Sequence, residues 1–374
     1  MKNVWIVADS IVSPLGLTTE ENYENIKKGI SGLRTIQNKN LNPAPIHVGL
    51  VDDVGQDPSA SKFEKLCKNV VQKLIGKVPV EPDRTIFILS TTKGNISFLE
   101  EGRGDNPRIH LHETAAYLAG AFGFKKHLVI SNACISGVMA LLVAKRFVES
   151  EQYEHAIVVG ADVLSQFIIS GFQSLQALSP EQCRPFDANR KGINLGECAA
   201  GVLLSSRSNL NSEKSKIRIV GGGLSNDANH ISGPSRTGEE LGFAIQQALE
   251  EAGMTSKDID FISAHGTATL YNDEMEAKAF NLMNLKDTPL NSLKGYYGHT
   301  LGAAGIVETI ISAQSLKEDE LIPTAGFESV GVTQSVNVIK KKESRALKTC
   351  LKTASGFGGC NAAIILKKEY NLKS

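Results

Sequence analysis

The sequence is short of several features that would place it in other classes of protein. Its 40 Lys and Arg residues are balanced by 40 Asp and Glu residues, so it lacks the basic excess of most nucleic-acid binders. It has no run of about 18 apolar residues, which argues against a membrane span. No charged leader precedes an apolar stretch, so we expect no signal peptide. With 41% hydrophobic and 21% charged residues, the composition is that of a globular protein with a large core.

Cysteine is also sparse, and no two cysteines form a CxxC pair. A disulfide-rich secreted scaffold would be shorter and denser in cysteine. We therefore expect free thiols in a reducing, cytoplasmic compartment. His110 and His112 form a weak metal signal, and we expect them to be surface histidines and the chain to hold no metal. The six cysteines are Cys67, Cys134, Cys183, Cys198, Cys350 and Cys360.

Strand-like and helix-like segments alternate along the chain, which predicts an α/β fold with buried strands. Short apolar, β-branched runs predict strands, and longer segments with helical spacing predict helices. One helix carries too many apolar side chains for a surface position, so we predict that it is buried all round. In the first half the predicted strands are residues 4–7, 85–89, 127–130 and 156–159, and the predicted helices are residues 21–29 and the buried 134–149.

The two halves of the chain repeat the same order of features, which indicates an internal duplication. Each half opens on an apolar strand, at residues 5–10 and 217–222. Each then has a strand, a candidate chemical residue (Cys134 or His299) and a helix, and each closes on a glycine-containing apolar strand. Two equivalent halves would bring two helix starts, with their free N–H groups, near a shared axis. The predicted halves are residues 1–210, which carry the cysteine, and residues 211–374, which carry the histidine.

The first chemically suggestive motif is Ser-Asn-Ala-Cys-Ile-Ser-Gly at residues 131–137. A cysteine at a strand-to-helix turn lies at the positive end of the helix dipole, which lowers its pKa and favours the thiolate. The thiolate is the form that attacks acyl groups. The alternative is a buried structural cysteine, and we assign that role to Cys67, Cys198 and Cys350. Cys134 is the candidate nucleophile.

Two histidines in the second half are candidate partners for that thiol. His265 follows the apolar run 261–263 and precedes a glycine, at the end of a buried strand where α/β folds build sites. His299 stands just before a helix rich in small residues, and Lys294 lies five residues upstream. Taken singly, each histidine could be a satisfied core residue and the lysine a solvated one. The glycine-rich run 355–361 could supply N–H groups for an oxyanion hole or be a tight turn. It does not have the spacing of a nucleotide-binding loop.

In this order, the four motifs resemble those of elongating β-ketoacyl-acyl-carrier-protein synthases. That family shows a cysteine turn, HGTxT, a lysine before GHxxGAAG, and GFGGxN. The matching segments here are residues 131–137, 265–269, 294–305 and 356–361, with further similarity at 12–16, 183–197 and 227–230. The resemblance covers essentially the whole chain. It implies a thiolase-like five-layered αβαβα fold made of two pseudo-duplicated halves.

The resemblance also implies an activity and partners. An acyl group would pass from the phosphopantetheine arm of an acyl carrier protein to Cys134. Malonyl-acyl-carrier protein would then lose carbon dioxide, and the resulting carbanion would attack the acyl thioester to give a 3-oxoacyl product. No cofactor other than the carrier's own phosphopantetheine is implied. The chain would form a homodimer, or a heterodimer with a related synthase.

By the same resemblance, named residues take roles in that reaction. His265 and His299 would stabilise the enolate, and Lys294 would orient and tune them. The backbone N–H groups of Cys134 and Phe357 would hold the acyl oxyanion, with Phe357 also gating the acyl pocket. The remaining residues implied are Glu308, which would tune the histidines together with the lysine, Asp273 behind the histidine loop, and Thr267 and Thr269 on the pantetheine arm.

Departures from the family's pattern leave the substrate open. Ile135 follows the nucleophile where a small residue is usual, and residues 353–355 lack the aromatic that usually precedes GFGG. The run 192–197 is similar to synthases of aryl-polyene or polyketide-like pigment pathways, so fatty-acid, polyene and polyketide-like biosynthesis all remain open. Two other roles also stay open: a thiolase with Cys360 as base, and a non-catalytic chain-length subunit of a heterodimer. Candidates for a basic patch facing an acidic carrier are Lys62, Lys65 and Lys68, although a plain solvated face is the simpler interpretation.

Overall fold

A computed structural model describes residues 2–52, 55, 57, 59–210, 213, 215–227 and 233–370, and it shows an α/β protein built on one long sheet. The strands are β1 (Trp5–Val12), β2 (Leu33–Ile36), β3 (Ile46–Gly49), β4 (Thr85–Ser90), β5 (Lys126–Ile130), β6 (His155–Asp162), β7 (Leu195–Gly196), β8 (Cys198–Ser205), β9 (Ser215–Asn226), β10 (Phe261–Ser263), β11 (Pro289–Asn291), β12 (Glu320–Leu321), β13 (Asn337–Val338), β14 (Glu343–Ser344), β15 (Thr349–Gly356) and β16 (Cys360–Tyr370). The helices are α1 (Thr19–Lys27), α2 (Lys62–Lys77), α3 (Ser97–Glu100), α4 (Leu111–Gly120), α5 (Ser136–Glu149), α6 (Gln166–Ser174), α7 (Glu239–Ala252), α8 (Leu270–Leu282), α9 (Lys294–Tyr297) and α10 (Ala304–Glu318).

Local sequence rules explain how these elements form. At the start of α2, the Ser61 hydroxyl accepts a hydrogen bond from the N–H of Glu64 at 3.1 Å, and the Glu64 carboxylate accepts one from the N–H of Ser61 at 2.9 Å. This reciprocal cap satisfies two N–H groups that the helix itself cannot pair. In β4, Phe87 packs into the outer core of the first half, and the next residue, Ile88, packs into the central core. The strand is therefore buried on both faces, as its continuous apolar run predicts.

The strand order shows the duplication directly. From the centre outward, the first half runs β1-β8-β6-β4-β5 and the second half runs β9-β16-β15-β10-β11-β13. In both halves the first two neighbouring pairs are antiparallel and the next two are parallel. The halves join where β1 pairs with β9, at Trp5 with Arg218 and Ile6 with Ile217. The predicted pseudo-duplication is confirmed, whereas the boundary between residues 210 and 211 stays a prediction.

The helices complete a five-layered arrangement. Helices α5 and α10 lie in the middle, where α5 packs on β4, β6 and β16, and α10 packs on β15, β8 and β16. Helices α2 and α4 cover the outer face of the first half, and α7, backed by α8, covers that of the second. The order helix, sheet, helix, sheet, helix confirms the predicted thiolase-like αβαβα fold. None of the described helices is both long enough and apolar enough to cross a bilayer.

The two central helices approach so closely at their starts that only glycine fits there. A Cβ atom on Gly137 of α5 would lie 3.0 Å from the backbone nitrogen of Ile306. A Cβ atom on Gly305 of α10 would lie 2.5 Å from the backbone nitrogen of Val138. Backbone atoms cannot rotate away as a side chain can, so these glycines set the separation of the helices. The residues just before the two helices are thereby brought together.

Several element boundaries differ from the sequence-based ones. Helix α5 begins at Ser136 rather than residue 134, which leaves Cys134 in the turn before it. His299, predicted to stand just before a helix, is separated from α10 by a single 3-10 turn, Leu301–Ala303. The family-like segment at residues 227–230 lies outside the described residues except for Asp227.

Candidate active site

Cys134 lies in the sharp turn between β5 and α5. Ala133 adopts a left-handed backbone conformation with φ of +44°, which turns the chain into the helix. Ser136 holds this turn, because its hydroxyl donates to the Ala133 carbonyl at 2.6 Å and accepts from the N–H of Asn132 at 2.8 Å. Cys134, only 7% exposed, is thereby fixed at the N-terminal end of a buried helix.

His265 follows β10, and two buried carboxylates of α8 hold its loop. Glu276 accepts hydrogen bonds from the N–H groups of His265 at 2.8 Å and Gly266 at 2.6 Å. Asp273 accepts from the N–H of Thr267 at 2.9 Å. Asp273 thus lies behind the histidine loop, as the resemblance implies. Glu276 was not predicted from the sequence. Its position one helical turn after Asp273 places it on the same face of α8, and this spacing could have identified it.

His299 stands between α9 and α10, and its backbone is fixed by the first half of the chain. Its N–H donates to the carbonyl of Asn194 at 2.7 Å, and its carbonyl accepts from the N–H of Gly196 at 3.1 Å. Just beyond it, the buried carboxylate of Asp162 accepts from the N–H of Gly302 at 2.7 Å. Within the described part of the chain, neither ring nitrogen of His299 has a hydrogen-bond partner. Because a buried unpaired nitrogen destabilises the fold, it marks a place where substrate could bind.

These three residues meet in one buried cluster. The Cys134 sulfur and one ring nitrogen from each of His265 and His299 all lie within 4.8 Å of one another. The two imidazole rings are 5.3 Å apart between centroids and inclined at 83°. The thiol comes from the first half of the chain and both imidazoles come from the second. The structure therefore places the three predicted residues at one site, as the duplicated topology led us to expect.

Lys294 fixes the orientation of the first imidazole. Its ammonium lies 3.3 Å from Nδ1 of His265 and 2.8 Å from Oε1 of Glu308. An ammonium group can only donate hydrogen bonds, so Nδ1 of His265 must accept and the ring proton must reside on Nε2. A second buried lysine, Lys352 of β15, lies 2.7 Å from Oε2 of Glu308. We did not predict Lys352 from the sequence, where its only signal is a charge inside an otherwise apolar strand.

Burial and nearby charges set the protonation states of this cluster. Burial first, and then the charge of Lys294, hold the pKa values of His265 and His299 well below the usual range for histidine. Both rings are therefore neutral at neutral pH and can donate one hydrogen bond each. Burial opposes ionisation of Glu308, but Lys294 and Lys352 together hold its pKa below its usual value.

The cysteine does not follow the sequence-based expectation. Burial raises the pKa of Cys134 to about 12, and Cys360 adds to the rise, whereas Lys294 and the backbone N–H of Phe357 act in the opposite direction. The prediction of a thiolate at the helix start is therefore wrong for the unliganded site, because desolvation outweighs the helix dipole. The sulfur is a thiol at rest, and one ring nitrogen of each neutral imidazole lies within 4.8 Å of it.

An apolar cavity of about 210 Å³ opens beside the thiol. Phe357 lies 40% exposed at this cavity and packs against Phe172 of α6, with ring centroids 5.8 Å apart. Lys93 is the charged residue among the lining residues that the structure describes. Ile135, which stands where a small residue is usual in the family, lies in the core and does not line this cavity. The other lining residues are Thr92, Ala133, Cys134, Phe167, Ile168, Gly171, Leu175 and Leu301.

The glycine-rich turn lies against the cysteine turn. A Cβ atom on Gly356 would lie 3.0 Å from the backbone nitrogen of Cys134 and 3.0 Å from the Cys360 sulfur, so this close approach requires glycine. Thr267 and Thr269 lie near each other, with hydroxyl oxygens 2.8 Å apart, but neither lines the cavity. Their assignment to a pantetheine arm stays a prediction.

Other predicted residues lie elsewhere. His110 and His112 are exposed, with ring centroids 5.8 Å apart. Lys62 pairs with the buried carboxylate of Glu197. Lys68 donates to the hydroxyl of Tyr117 at 2.7 Å. Two of the three lysines suggested for carrier binding therefore have partners within this chain. Cys67, Cys183, Cys198 and Cys350 are buried, and burial raises the pKa of each, as for structural thiols.

The cluster Cys134, His265 and His299 also has the donor types of a zinc site. The surrounding charge argues against a cation there, because Lys294 and Lys352 both act to keep the imidazoles unprotonated. Two ammonium groups close to the rings repel a divalent cation electrostatically. The same field favours an anion, such as a developing oxyanion, between the rings.

Sequence and structure comparisons with known proteins point to the same family. A family model described as "Beta-ketoacyl synthase, N-terminal domain" matches residues 112–209, and one described as "Beta-ketoacyl synthase, C-terminal domain" matches residues 217–328, together more than half of the chain. The chain is 34% identical over 256 residues to 3-oxoacyl-[acyl-carrier-protein] synthase 2 of Rhizobium meliloti, a match that covers 65% of this chain and 60% of that protein. It is 31% identical over 298 residues to the enzyme of the same name from Vibrio cholerae, covering 75% of this chain and 66% of that protein. Matched segments thus span somewhat less than two thirds of these relatives.

The fold is also shared with a solved structure. A ketosynthase in complex with its chain length factor, from Xenorhabdus doucetiae, superimposes with a TM-score of 0.87 at 26% identity, covering 98% of each chain. This similarity extends over both halves, including the segments that carry the cysteine and the two histidines.

Proposed function

Because this chain belongs to the β-ketoacyl synthase family, we propose that it catalyses the decarboxylating Claisen condensation of an acyl group with malonyl-acyl-carrier protein. The observation that carries this proposal is the pair of buried, neutral imidazoles that face one thiol. Neutral imidazoles donate hydrogen bonds to an oxyanion without adding a labile proton, which suits an enolate intermediate.

In the first step, the Cys134 sulfur attacks the carbonyl carbon of the acyl thioester, and its proton passes to a ring nitrogen of His299, which has no hydrogen-bond partner among the described residues. The C–S bond to phosphopantetheine breaks, and the departing thiolate takes up that proton, which returns His299 to its neutral form. The N–H of Phe357 is directed at the sulfur, and together with the N–H of Cys134 it would hold the acyl oxygen. The apolar cavity beside the thiol would receive the acyl chain.

In the second step, the thioester oxygen of malonyl-acyl-carrier protein accepts hydrogen bonds from His265 and His299. The bond to the carboxylate breaks, carbon dioxide leaves, and its electron pair becomes the enolate. The enolate carbon attacks the acyl carbon on Cys134, a C–C bond forms, and the sulfur leaves. The Nε2–H of His265 is available for this role because Lys294 holds Nδ1.

Mass spectrometry of Cys134 after exposure to a panel of acyl-carrier proteins tests the first step, and release of carbon dioxide from malonyl-acyl-carrier protein tests the second. Acylation should be lost in Cys134→Ala, and decarboxylation should fall by about 10²–10³-fold in His299→Ala, since a preorganised oxyanion donor is removed. Cys360→Ala is the matched control: a condensing enzyme should retain most activity, whereas a thiolase should lose it with its base. No acylation and no decarboxylation in the wild type would favour the non-catalytic role.

A non-catalytic chain-length subunit is the second candidate function. It is considered because the solved ketosynthase that this chain resembles forms a complex with a chain length factor. The retained Cys134 and its two histidines speak against that role for this chain. We propose two partners: acyl carrier protein, and a second synthase subunit that is either identical or related to this chain. Support for the second subunit comes from α6 and the residue that follows it, since Phe167 is 57% exposed and Leu175 is 47% exposed beside the cavity.

We place the reaction in fatty-acid, polyene or polyketide-like biosynthesis, with the phosphopantetheine of the carrier as its only prosthetic group. The aryl-polyene branch is the narrower proposal from residues 192–197. A cytoplasmic location fits the six cysteines, all of which are free thiols. Identification of the acyl group on Cys134 by mass would decide among these pathways.

A further inference from the structure

Two buried lysines share one carboxylate at this site. Lys294 lies 2.8 Å from Oε1 of Glu308, and Lys352 lies 2.7 Å from Oε2 of the same group. Both lysine side chains are fully buried. A buried ammonium group destabilises a protein unless a charge and hydrogen-bond acceptors compensate it. One carboxylate would suffice for Lys294 alone, so the second lysine needs a further explanation.

Lys352 also holds the strand end that carries His265. Its ammonium donates to the carbonyls of Ser263 at 3.2 Å and Ala264 at 3.3 Å, the two residues just before His265. Strands β15 and β10 are parallel neighbours in which Ser263 pairs with Lys352. One side chain therefore links the Glu308 carboxylate to the backbone that positions the imidazole.

Lys352 is one of several charged side chains buried near the two imidazoles. Lys294 and Lys352 both pair with Glu308, and both act electrostatically on Glu276, which accepts from the Thr353 hydroxyl at 3.1 Å. Removing Lys352 would take one positive charge from beside the rings. The charged and titratable groups that surround them are Cys134 before α5, Asp273 and Glu276 in α8, Lys294 in α9, Glu308 in α10 and Lys352 in β15.

We propose that Lys352 is a positioning residue for the condensation: it holds one oxygen of Glu308, so that the other oxygen keeps Lys294 directed at Nδ1 of His265. It touches none of the reacting atoms. Consistent with this role, the charge of Lys352 is among the causes that lower the pKa values of both histidines. The effect on catalysis rests on the proposed function, whereas the effect on the histidines concerns the free enzyme.

Three variants test this inference. Lys352→Met removes the charge and the donor; Lys352→Gln removes the charge but keeps an N–H donor for the carbonyls of Ser263 and Ala264. The double variant Lys352→Met with Glu308→Gln removes one charge of each sign. The readouts are ring titration of His265 and His299 by NMR in the free enzyme, the pH profile of malonyl-acyl-carrier protein decarboxylation, and alkylation of Cys134 by iodoacetamide.

We expect both lysine variants to raise the pKa of at least one imidazole by about one unit or more, since a nearby positive charge is lost. The acid limb of decarboxylation should move to higher pH by the same amount. At pH values below the acid limb, kcat should be about tenfold lower than in the wild type at the same pH, with KM within about twofold. Alkylation of Cys134 should change little, because Lys352 is not among the groups that shift its pKa. The double variant restores the charge and should therefore restore the titration and the acid limb, but not kcat, because the Glu308 carboxylate that directs Lys294 at His265 is gone.

The inference is overturned if Lys352→Gln and Lys352→Met leave both ring titrations unchanged, or if the double variant fails to restore them. A merely structural lysine would lower the melting temperature without moving the titration, and the double variant would not rescue it. Where Lys352→Met does not fold, Lys352→Gln and the charge-balanced double variant give the same comparison. If wild-type protein does not decarboxylate malonyl-acyl-carrier protein, the proposed function fails, while the NMR titration still tests Lys352.

Discussion

Replacing Gly305 with alanine should separate the two central helix starts and slow catalysis far more than it unfolds the protein. The new Cβ atom would lie 2.5 Å from the backbone nitrogen of Val138 and 2.7 Å from its Cγ2, where ordinary contact begins at 3.4 Å. Rotation of a side chain cannot relieve the backbone contact, so α5 and α10 must move apart by up to about 0.9 Å, the shortfall from ordinary contact. Cys134 and His299 precede these helices and would move with them.

A displacement of about 1 Å between reacting groups can slow catalysis by about 10²-fold, whereas overpacking at one site costs about 1–3 kcal/mol. We therefore expect kcat for condensation to fall by about two orders of magnitude while the protein stays folded. Gly137→Ala, with its closest contact at 3.0 Å, should have a smaller effect. Gly76→Ala, in α2 with no atom within 4 Å, is the control and should leave kcat unchanged.

The assay is steady-state condensation with malonyl-acyl-carrier protein, alongside thermal unfolding and the rate of Cys134 alkylation. Alkylation should persist in Gly305→Ala, because the turn that holds Cys134 moves as a unit and the thiol stays beside the cavity. Condensation activity should be highest in Gly76→Ala, lower in Gly137→Ala and lowest in Gly305→Ala. A Gly305→Ala protein that is folded and condenses within about threefold of wild type would show that helix separation does not set the spacing of thiol and imidazole.

Three further predictions follow from the electrostatics and the cavity. Alkylation of Cys134 in the free enzyme should increase with pH up to about pH 9 without a plateau, since burial raises the pKa of Cys134 to about 12; a plateau below pH 7 would show a resting thiolate. Lys294→Met should lower kcat for malonyl decarboxylation by about 10²-fold, because His265 loses the partner that fixes its tautomer, and an unchanged pH profile with unchanged kcat would contradict this. Phe357→Ala should raise the acylation rate of Cys134 with bulky acyl groups relative to short ones, since Phe357 packs against Phe172 at the cavity; equal changes for all chain lengths, measured by mass spectrometry, would argue against a gate.

The meeting of the thiol and the imidazoles could be predicted from the sequence because it follows from topology. Cys134 follows β5 and His299 follows β11, and these strands occupy equivalent places in the two halves of the sheet. The continuous apolar run of β4 and the small residues at the start of α10 could also be recognised as local patterns. Each of these inferences needed only residues close in the chain and the rule that duplicated halves repeat their topology.

The protonation state of Cys134 and the charge network could not be predicted in this way. A helix dipole is a local feature, but the desolvation that outweighs it comes from distant segments that close over the sulfur. Glu308 and Lys352 are separated along the chain and meet only through packing of α10 against β15. In the sequence Lys352 is one charge in a strand, and nothing nearby distinguishes a buried partner from a solvated side chain.

The two halves supply different parts of the reaction, although they share one topology. The second half provides Lys294, Glu308, Lys352 and both imidazoles, so it contains nearly all of the charge that acts on the intermediate. The first half provides the thiol and, through α6 and the adjoining Leu175, a large part of the apolar cavity wall. Because the glycine contact between α5 and α10 fixes only the helix starts, residues of α6 can change without moving the imidazoles. Variation in acyl substrate should therefore fall on Phe167, Phe172 and Leu175, while the decarboxylation step stays unaltered.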